Sequence, residues 1–325
     1  MTGLPSATSS VEGGSATPTA TPPVPENPRK IAWARRRRSL GRNWRTFRSS
    51  PMGMIGLAIL VFFVLIAVFA PLLADRSGLS PVTAPGQPFQ PPSAEFWFGT
   101  DFQGRSVLTL VIWGSRVSLT IGLVATLISV VIGGVVGVLA GYFGGWKDVG
   151  LMRVTDWFLV IPFLPLVIVL ASVIGGGVGG GGIGLTAFVI GITSWPSSAR
   201  LVRSQALSVK ERPYVERARA LGASNWHLIT RHILPNVFPI IFANTILIVA
   251  IAILSETTLS FLGFGDPNSI SWGVILDQAF GNGAVIAGNW WWVIPPGVAV
   301  VLVVLAFTMI GYALDEILNP RLRRR

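Results

Sequence analysis

Long apolar segments recur along this chain and are separated by polar stretches. They cover six ranges, residues 52–74, 117–142, 157–175, 183–199, 236–258 and 293–314. Most of them reach or approach the roughly 20 residues that an α-helix needs to cross the hydrocarbon core of a bilayer, and the fourth is the shortest. The pattern predicts an all-α polytopic membrane protein with six transmembrane helices.

Two of these segments contain residues that shape a helix. The second has a glycine at every fourth position, which leaves a flat groove where another helix backbone can approach closely. The four glycines predicted to pack against a helix are Gly133, Gly137, Gly141 and Gly145. In the third segment Pro162 and Pro165 should break or bend the helix, because proline lacks the backbone N–H and its ring clashes with the preceding turn.

Composition supports a membrane protein. Hydrophobic residues make up 51% of the 325 residues and charged residues only 12%, whereas soluble domains have about 25% charged residues. The chain has no cysteine, which excludes disulfides, thiolate nucleophiles and zinc-thiolate sites. It also has no phosphate-binding loop of the Walker type. The sequence therefore predicts no catalytic residues and no enzyme active site.

The two histidines are the remaining candidates for metal ligands. His227 and His232 are five residues apart, whereas two ligands on one helix face need a spacing of three or four. We therefore predict no metal site.

The basic residues predict how the chain is oriented in the membrane. Placing the N-terminus inside puts 22 of the 25 Lys and Arg residues on the cytoplasmic side and leaves only Arg76, Arg105 and Arg116 outside. Cytoplasmic loops carry the excess of Lys and Arg, so both termini are predicted to be cytoplasmic.

The N-terminal region divides at the point where its composition changes. Residues 1–28 are rich in Ser, Thr, Pro and Gly and predict a disordered tail. Residues 29–50 carry the run Arg35–Arg38 between tryptophans, and because an apolar segment follows at once, they predict an amphipathic juxtamembrane segment on anionic lipid rather than an RNA-binding arm. The other predicted regions are a first transmembrane helix at 51–75, an extracytoplasmic loop at 76–116, a five-helix core at 117–318 and a basic tail at 319–325.

A polar cytoplasmic stretch interrupts the core between Pro213 and Pro235. Its first part has the periodicity of a short amphipathic helix, at about residues 211–226, with one small apolar face. That face consists of Tyr214, Ala218, Leu221 and Gly222. It predicts either a docking surface for another protein or a helix that rests on lipid.

One acidic residue lies within the later apolar segments. Glu256 is predicted about 30 Å beyond Pro235, near the outer membrane boundary. An ionisable residue at this depth can line a substrate path. It can equally be solvated at the interface, and the sequence leaves both interpretations open.

The polar stretch resembles the coupling motif of permease subunits from ATP-binding cassette importers, in which Glu-Ala-Ala is followed by Gly and then by Leu-Pro. The residues at the matching positions are Glu216, Ala218, Gly222 and the pair Leu234–Pro235. The middle Ala of the motif is replaced by Arg217.

Other segments resemble the C-type permeases of the dipeptide, oligopeptide and nickel branch. They are the passage from Phe98 to Gly122, which contains GTDFQGR, then LSFLGFG, SWG, WWWVIPPG and NPRLR. Ser106 stands where that branch usually has Asp. In this chain Asp101, Arg105 and Glu256 are the candidates for a pathway or outer gate.

The resemblance implies a type I importer permease core in a prokaryotic plasma membrane, with Tyr214, Glu216, Arg217, Ala218, Leu221, Gly222, Leu234 and Pro235 in contact with an ATPase. It implies as partners a second homologous permease, two nucleotide-binding subunits or one fused pair, an extracytoplasmic substrate-binding protein, membrane lipid and a peptide substrate, and no nucleic acid. ATP and Mg would bind to the partner subunits, and this chain would hold no cofactor. Nickel, glutathione or oligosaccharides are the alternative substrates, and a stand-alone secondary transporter is the alternative class.

Overall fold

The computed structural model of the chain describes residues 41, 44–177 and 181–318. The predicted tail 1–28, most of the basic segment 29–50 and the C-terminal tail 319–325 lie outside these residues. The chain divides into two compact units, Met1–Trp44 and Arg45–Arg325. Every element named below belongs to the second unit.

The second unit is built from α-helices. In chain order they are α1 (Pro51–Leu73), α2 (Val107–Phe143), α3 (Gly145–Val160), α4 (Phe163–Gly175), α5 (Gly182–Lys210), α6 (Pro213–Ala220), α7 (Asn225–Leu228), α8 (Leu234–Leu259), α9 (Trp272–Gly281) and α10 (Trp290–Leu318). Short 3₁₀ helices occur at Arg76–Leu79 and Pro81–Thr83, and π-helical turns at Ile229–Ile233 and Ser260–Phe264. The β pairing within the described ranges is an isolated bridge between Thr100 and Ser106, so the all-α prediction is confirmed.

Four helical stretches are long and apolar enough to cross a membrane. They are α1, α2, the stretch Asn225–Phe264 and Trp290–Ile317 of α10. The bent pair of α3 and α4 makes a fifth if it counts as one broken span. The remaining predicted segment, residues 183–199, lies in α5, which is 29 residues long.

The second apolar helix begins earlier than the sequence predicted. Helix α2 starts at Val107, ten residues before the predicted start at 117, so the preceding loop ends at Ser106 rather than at residue 116. The Ser106 hydroxyl caps the helix by accepting a hydrogen bond from the N–H of Thr109. Arg116 lies inside the helix with an exposed side chain. A charged residue thus lies within the helix, and charge does not mark the end of the loop here.

The third predicted span is broken rather than continuous. Helix α3 ends at Val160, α4 begins at Phe163, and their axes differ by 93°. Ile161 is extended, with φ −75° and ψ 128°, because the ring of Pro162 disfavours a helical conformation for the residue before it. The predicted break is therefore present, and the prediction of one continuous helix over 157–175 is wrong.

Helices α2 and α5 approach closely along three of the four predicted glycines. A Cβ atom added to Gly133, Gly137 or Gly141 would lie 2.6 to 2.7 Å from an atom of α5. These atoms are Ser198 Cβ, the Ala199 carbonyl oxygen and Ala206 Cβ. Such distances are shorter than carbon and oxygen contacts allow, so any larger residue would push the helices apart.

The fourth glycine does not belong to this packing surface. A Cβ atom on Gly145 would meet nothing within 4 Å, and the residue has φ +56°. Helix α2 ends at Phe143, and Gly144, with φ +65°, turns the chain into α3. The four-residue spacing of glycines thus continues past the end of α2, but Gly145 is the first residue of α3 and does not lie in the helix contact.

Candidate functional site

The coupling segment, residues 213–235, begins with the short helix α6 and is attached to the helical core through one side chain. Val215 is fully buried. It belongs to a hydrophobic cluster with Val202 and Val209 of α5, Leu228 of α7 and Val237 of α8. Val215 is not among the predicted site residues, because the apolar face predicted from periodicity consisted of Tyr214, Ala218, Leu221 and Gly222. Its burial holds α6 against the ends of the membrane-spanning helices.

The residues predicted to contact an ATPase lie beside this cluster, and one of them, Ala218, packs against it. Tyr214, Glu216 and Arg217 are exposed, Leu221 is 88% exposed, and Ala218 is half-buried. Exposed apolar side chains next to a buried one such as Val215 are typical of an interaction surface.

The turn after α6 explains why the segment contains Gly222. Helix α6 ends at Ala220, and Gly222 adopts φ +84°. Its N–H donates to the carbonyl of Arg219, and the N–H of Ala223 donates to the carbonyl of Ala218 at 3.1 Å. This is the C-terminal capping pattern in which glycine is preferred, because a Cβ atom is disfavoured at positive φ.

The predicted helix at about 211–226 is therefore too long. Leu221 and Gly222 belong to the turn and not to a helix face. Helix α7 starts separately at Asn225, and the Ser224 hydroxyl caps it by accepting a hydrogen bond from the N–H of His227. The turn forms a shallow cavity of about 390 Å³ at the surface. Its lining residues are Ala218, Leu221, Gly222, Ala223, Ser224 and His227.

A π-helical turn joins the coupling segment to α8. It covers Ile229–Ile233, and Ile233 is fully buried. Leu234 and Pro235 follow at the start of α8 with exposed side chains. Proline is tolerated at the start of a helix because the first N–H groups there have no partner inside the helix. In this chain the helical backbone runs directly from the π turn into α8.

Polar contacts tie this end of the molecule together. The Tyr142 hydroxyl of α2 donates to Asn225 Oδ1 of α7 at 2.6 Å. Arg203 of α5 donates twice to the carboxylate of Asp148 in α3, with both distances 2.6 Å. The coupling segment therefore shares contacts with α2, α5 and α8, and α3 is linked to α5 beside it.

Glu256 is enclosed rather than solvated. The side chain is fully buried, and its two carboxylate oxygens accept hydrogen bonds from Ser118 at 3.0 Å and from Ser260 at 2.9 Å. The Ser118 hydroxyl in turn accepts from the N–H of Trp272 at 3.2 Å. The predicted alternative of a solvated carboxylate at the interface is wrong, because these hydrogen bonds join α2, α8, the following π turn and α9.

Asp101 and Arg105 are also buried. Asp101 is 0% and Arg105 5% exposed, and their side chains form an ion pair with an N–O distance of 2.6 Å. The same guanidinium donates to Gln278 Oε1 of α9 at 2.9 Å. The two side chains therefore connect the loop before α2 to α9, and their role in a pathway or outer gate stays a prediction.

Three of the segments that resemble C-type permeases pack together near the ion pair of Asp101 and Arg105. The indole N–H of Trp291 donates to the carbonyl of Thr100 at 3.3 Å, and the ring of Trp292 stacks on Phe102 at 5.5 Å. Trp272 is fully buried and donates to the carbonyl of Val111. The passages GTDFQGR, SWG and WWW thus form one packed region, which sequence spacing alone could not show.

Among the described residues, no three His, Cys, Asp or Glu side chains are close enough to hold a metal ion. The rings of His227 and His232 lie 5.8 Å apart beside the coupling segment.

The described residues form an all-α bundle in which the partly exposed coupling segment lies between two long helices, α5 and α8. Residues 133–324 match the family described as binding-protein-dependent transport system inner membrane component, and residues 39–92 match the N-terminal transmembrane domain of oligopeptide transport permease C. The chain belongs to this permease family, as its sequence motifs predicted.

Individual relatives cover most of the chain. The dipeptide transport system permease protein DppC of Bacillus subtilis is 36% identical over 86% of this chain and 85% of its own length. The oligopeptide transport system permease protein OppC of the same organism is 35% identical over 86% of this chain and 88% of its own. A chain of the inward-facing MetNI methionine ABC transporter is similar in fold, with a TM-score of 0.50 and 22% identity over 66% of this chain and 97% of that one.

Proposed function

We propose that this chain is a translocation-pathway subunit of an ATP-driven, binding-protein-dependent importer of dipeptides or oligopeptides. The peptide class rests on the dipeptide and oligopeptide permeases to which the chain is similar over most of its length. The alternative substrates, nickel, glutathione and oligosaccharides, are not favoured, because these relatives are named as dipeptide and oligopeptide permeases.

The proposal is best supported by the packing and exposure of the coupling segment. Val215 is buried in a cluster shared with the spans, while Tyr214, Glu216 and Leu221 are exposed beside it. A short helix held in this way can enter a groove on an ATPase subunit. Because Val215 packs on α5 and α8, a displacement of α6 would move those helices as well.

The partners follow from this arrangement. Two nucleotide-binding subunits would bind ATP and Mg, a second permease would complete the pathway, and an extracytoplasmic binding protein would deliver the substrate. The coupling segment would then be cytoplasmic, with both termini on the same side of the membrane. ATP binding would bias inward-facing against outward-facing states by contacting the two states differently.

The proposal is tested with the complex assembled from the products of this gene and of adjacent ATPase, permease and binding-protein genes. Leu221→Asp places a charge in the proposed interface, and we expect substrate-stimulated ATP hydrolysis in proteoliposomes to fall about tenfold or more, because a central interface residue contributes about 2 kcal/mol. Uptake of a labelled dipeptide should fall in parallel, and competition with nickel or glutathione identifies the substrate class.

Val82→Asp is the matched control. Val82 is 93% exposed in the loop after α1, so the same change of an exposed aliphatic residue there should leave both activities within about twofold. Equal ATP hydrolysis by the wild type and the Leu221 variant would contradict the assignment of the coupling segment.

A further inference from the structure

A cavity of about 650 Å³ lies between the C-terminal end of α1, the first half of α2 and the first turn of α5. Its polar and aromatic lining includes Asp75, Arg76, Trp113, Arg116, Asn268 and Ser269. The coupling segment packs on Val138 and Tyr142 at the other end of α2. The cavity is therefore at the membrane side opposite the coupling segment, and neither the coupling segment nor Glu256 belongs to it.

Two arginines without a carboxylate partner converge on this cavity. Within the described parts of the chain, neither Arg76 nor Arg116 has a carboxylate oxygen within the 4.0 Å of an ion pair, whereas Arg105 on the same side is paired with Asp101. The guanidinium carbons of Arg76 and Arg116 lie 5.9 and 6.0 Å from the centroid of the Trp113 ring. The indole N–H of Trp113 donates to the carbonyl of Ala74 at 3.2 Å, which fixes the ring between α1 and α2.

The lining also contains one acid. The Asp75 carboxylate accepts hydrogen bonds from the hydroxyl and the N–H of Ser77, and these bonds hold the pKa of Asp75 below its ordinary value. Asp75 therefore stays ionised at neutral pH. With two arginines and one aspartate, the lining has a net charge of one positive, which complements a ligand with one negative charge such as a phosphodiester.

The position of the cavity indicates a lipid rather than a soluble anion. Arg76 follows the apolar run of α1, where Leu72 is 82% exposed, and Arg116 directly precedes the predicted apolar run of α2. Tryptophan and arginine at the ends of spans lie at the level of the lipid headgroups. Below Arg116, an exposed stripe continues down α2 at helical spacing. It consists of Thr120, Leu123, Leu127 and Val131.

We propose that this cavity binds the phosphodiester headgroup of an anionic phospholipid from the outer leaflet. Arg76 and Arg116 contact the phosphate, Trp113 holds both guanidinium groups in place, and an acyl chain lies along the exposed stripe of α2. A zwitterionic headgroup brings its own cation next to the two arginines and binds more weakly. The assignment to the outer leaflet rests on the proposed orientation, whereas the lipid contact itself does not.

Native mass spectrometry of the purified full chain, titrated with dioleoyl phosphatidylglycerol or dioleoyl phosphatidylcholine, tests this proposal. In the double variant Arg76→Gln with Arg116→Gln, the apparent affinity for the first phosphatidylglycerol should fall about tenfold or more, since each basic residue near anionic lipid contributes measurably to binding. Binding of phosphatidylcholine should change less than twofold. The charge-preserving variant Arg76→Lys with Arg116→Lys should recover most of the lost affinity, which separates loss of charge from misfolding.

Lys147→Gln with Arg153→Gln is the matched control, because both residues are exposed on α3 at the coupling end and the change in net charge is the same. Its phosphatidylglycerol affinity should stay within about twofold of the wild type. Three results would overturn the proposal: unchanged affinity in the Arg76 and Arg116 variant, an equal loss in the control, or equal binding of the two lipids. Displacement of phosphatidylglycerol by an acidic tripeptide at similar concentration would assign the site to a soluble anion instead.

Discussion

At the scale of single residues, the absence of a side chain decides how closely α2 and α5 approach. Gly133, Gly137 and Gly141 each face atoms of α5 at distances that a Cβ atom could not occupy. Gly134 lies in the same helix and faces open space. The helix thus contains both close-packed and unrestricted glycines, and this difference can be measured.

Gly137→Ala is predicted to destabilise the protein by about 1–3 kcal/mol, the usual cost of overpacking a tight contact. The added methyl would lie 2.6 Å from the carbonyl oxygen of Ala199 and 2.7 Å from Val202 Cβ, neither of which can move away without shifting α5. Gly134→Ala in the same helix should be neutral or slightly stabilising. Thermal unfolding in detergent compares the two, and equal melting temperatures would contradict the close packing.

Glu256→Ala is predicted to destabilise the protein by about 2–4 kcal/mol, because it leaves a cavity and removes the acceptor for the hydroxyls of Ser118 and Ser260. Glu256→Gln keeps the shape and one acceptor oxygen, so its cost should be about 1 kcal/mol or less. The comparison uses denaturant unfolding of both variants together with peptide uptake. Loss of uptake in the Gln variant at unchanged stability would show that the carboxylate has a role in transport beyond holding α2 and α8 together.

At the scale of elements, the coupling segment is a series of short pieces rather than one helix. Helix α6 ends in a glycine cap, α7 follows after the four residues 221–224, and a π-helical turn leads into α8. A π turn precedes α8 at Ile229–Ile233, and the π turn that follows it at Ser260–Phe264 is kinked at Gly263, which has φ +82°. Such turns are frequent at functional sites, which favours α8 as the element that passes motion from the coupling segment across the membrane.

Gly222→Ala is predicted to destabilise the turn after α6 by about 1 kcal/mol, because the residue has φ +84° and a Cβ atom is disfavoured there. The exposed turn should then lose its cap, and ATP hydrolysis by the assembled complex should couple less well to substrate. Gly150→Ala, in the exposed middle of α3 with ordinary helical φ, serves as the control and should be neutral or stabilising. Hydrogen exchange at the amide of Ala223 reports the cap directly, and an unchanged rate in the Gly222 variant would argue against it.

How much of these elements could be predicted from the sequence differs by feature. Apolar length locates the spans, because crossing a bilayer requires about 20 apolar residues, and Pro162 marks the break between α3 and α4. The start of α2 cannot be located from charge, because the long side chain of Arg116 leaves the helix at its surface and the helix continues N-terminally to Val107. The burial of Val215 and Glu256 depends in part on distant partners, such as Val237 for Val215 and Ser118 for Glu256, and no periodicity within a segment contains that information.

At the scale of the whole molecule, polar groups are arranged differently at the two ends of the bundle. Near the coupling segment, Asp148 and Arg203 pair and Tyr142 bonds to Asn225. At the opposite end, Asp101 and Arg105 form a buried pair, while Arg76 and Arg116 line a cavity. Which end is cytoplasmic follows only from the distribution of basic residues, so the orientation remains a prediction that calls for a direct measurement.

The orientation can be determined by labelling single cysteines, because the natural chain has none and every signal then reports one position. Leu221→Cys and Val82→Cys introduce thiols at sites that are 88% and 93% exposed, one in the coupling segment and one in the loop after α1. With both termini inside, a membrane-impermeant maleimide should label Val82→Cys in intact spheroplasts and Leu221→Cys only after lysis, since the reagent cannot cross the hydrocarbon core. Ile286→Cys, 95% exposed between α9 and α10, should behave like Val82→Cys. The reverse pattern would place the coupling segment outside, out of reach of any ATPase, and would overturn the orientation and the proposed function together.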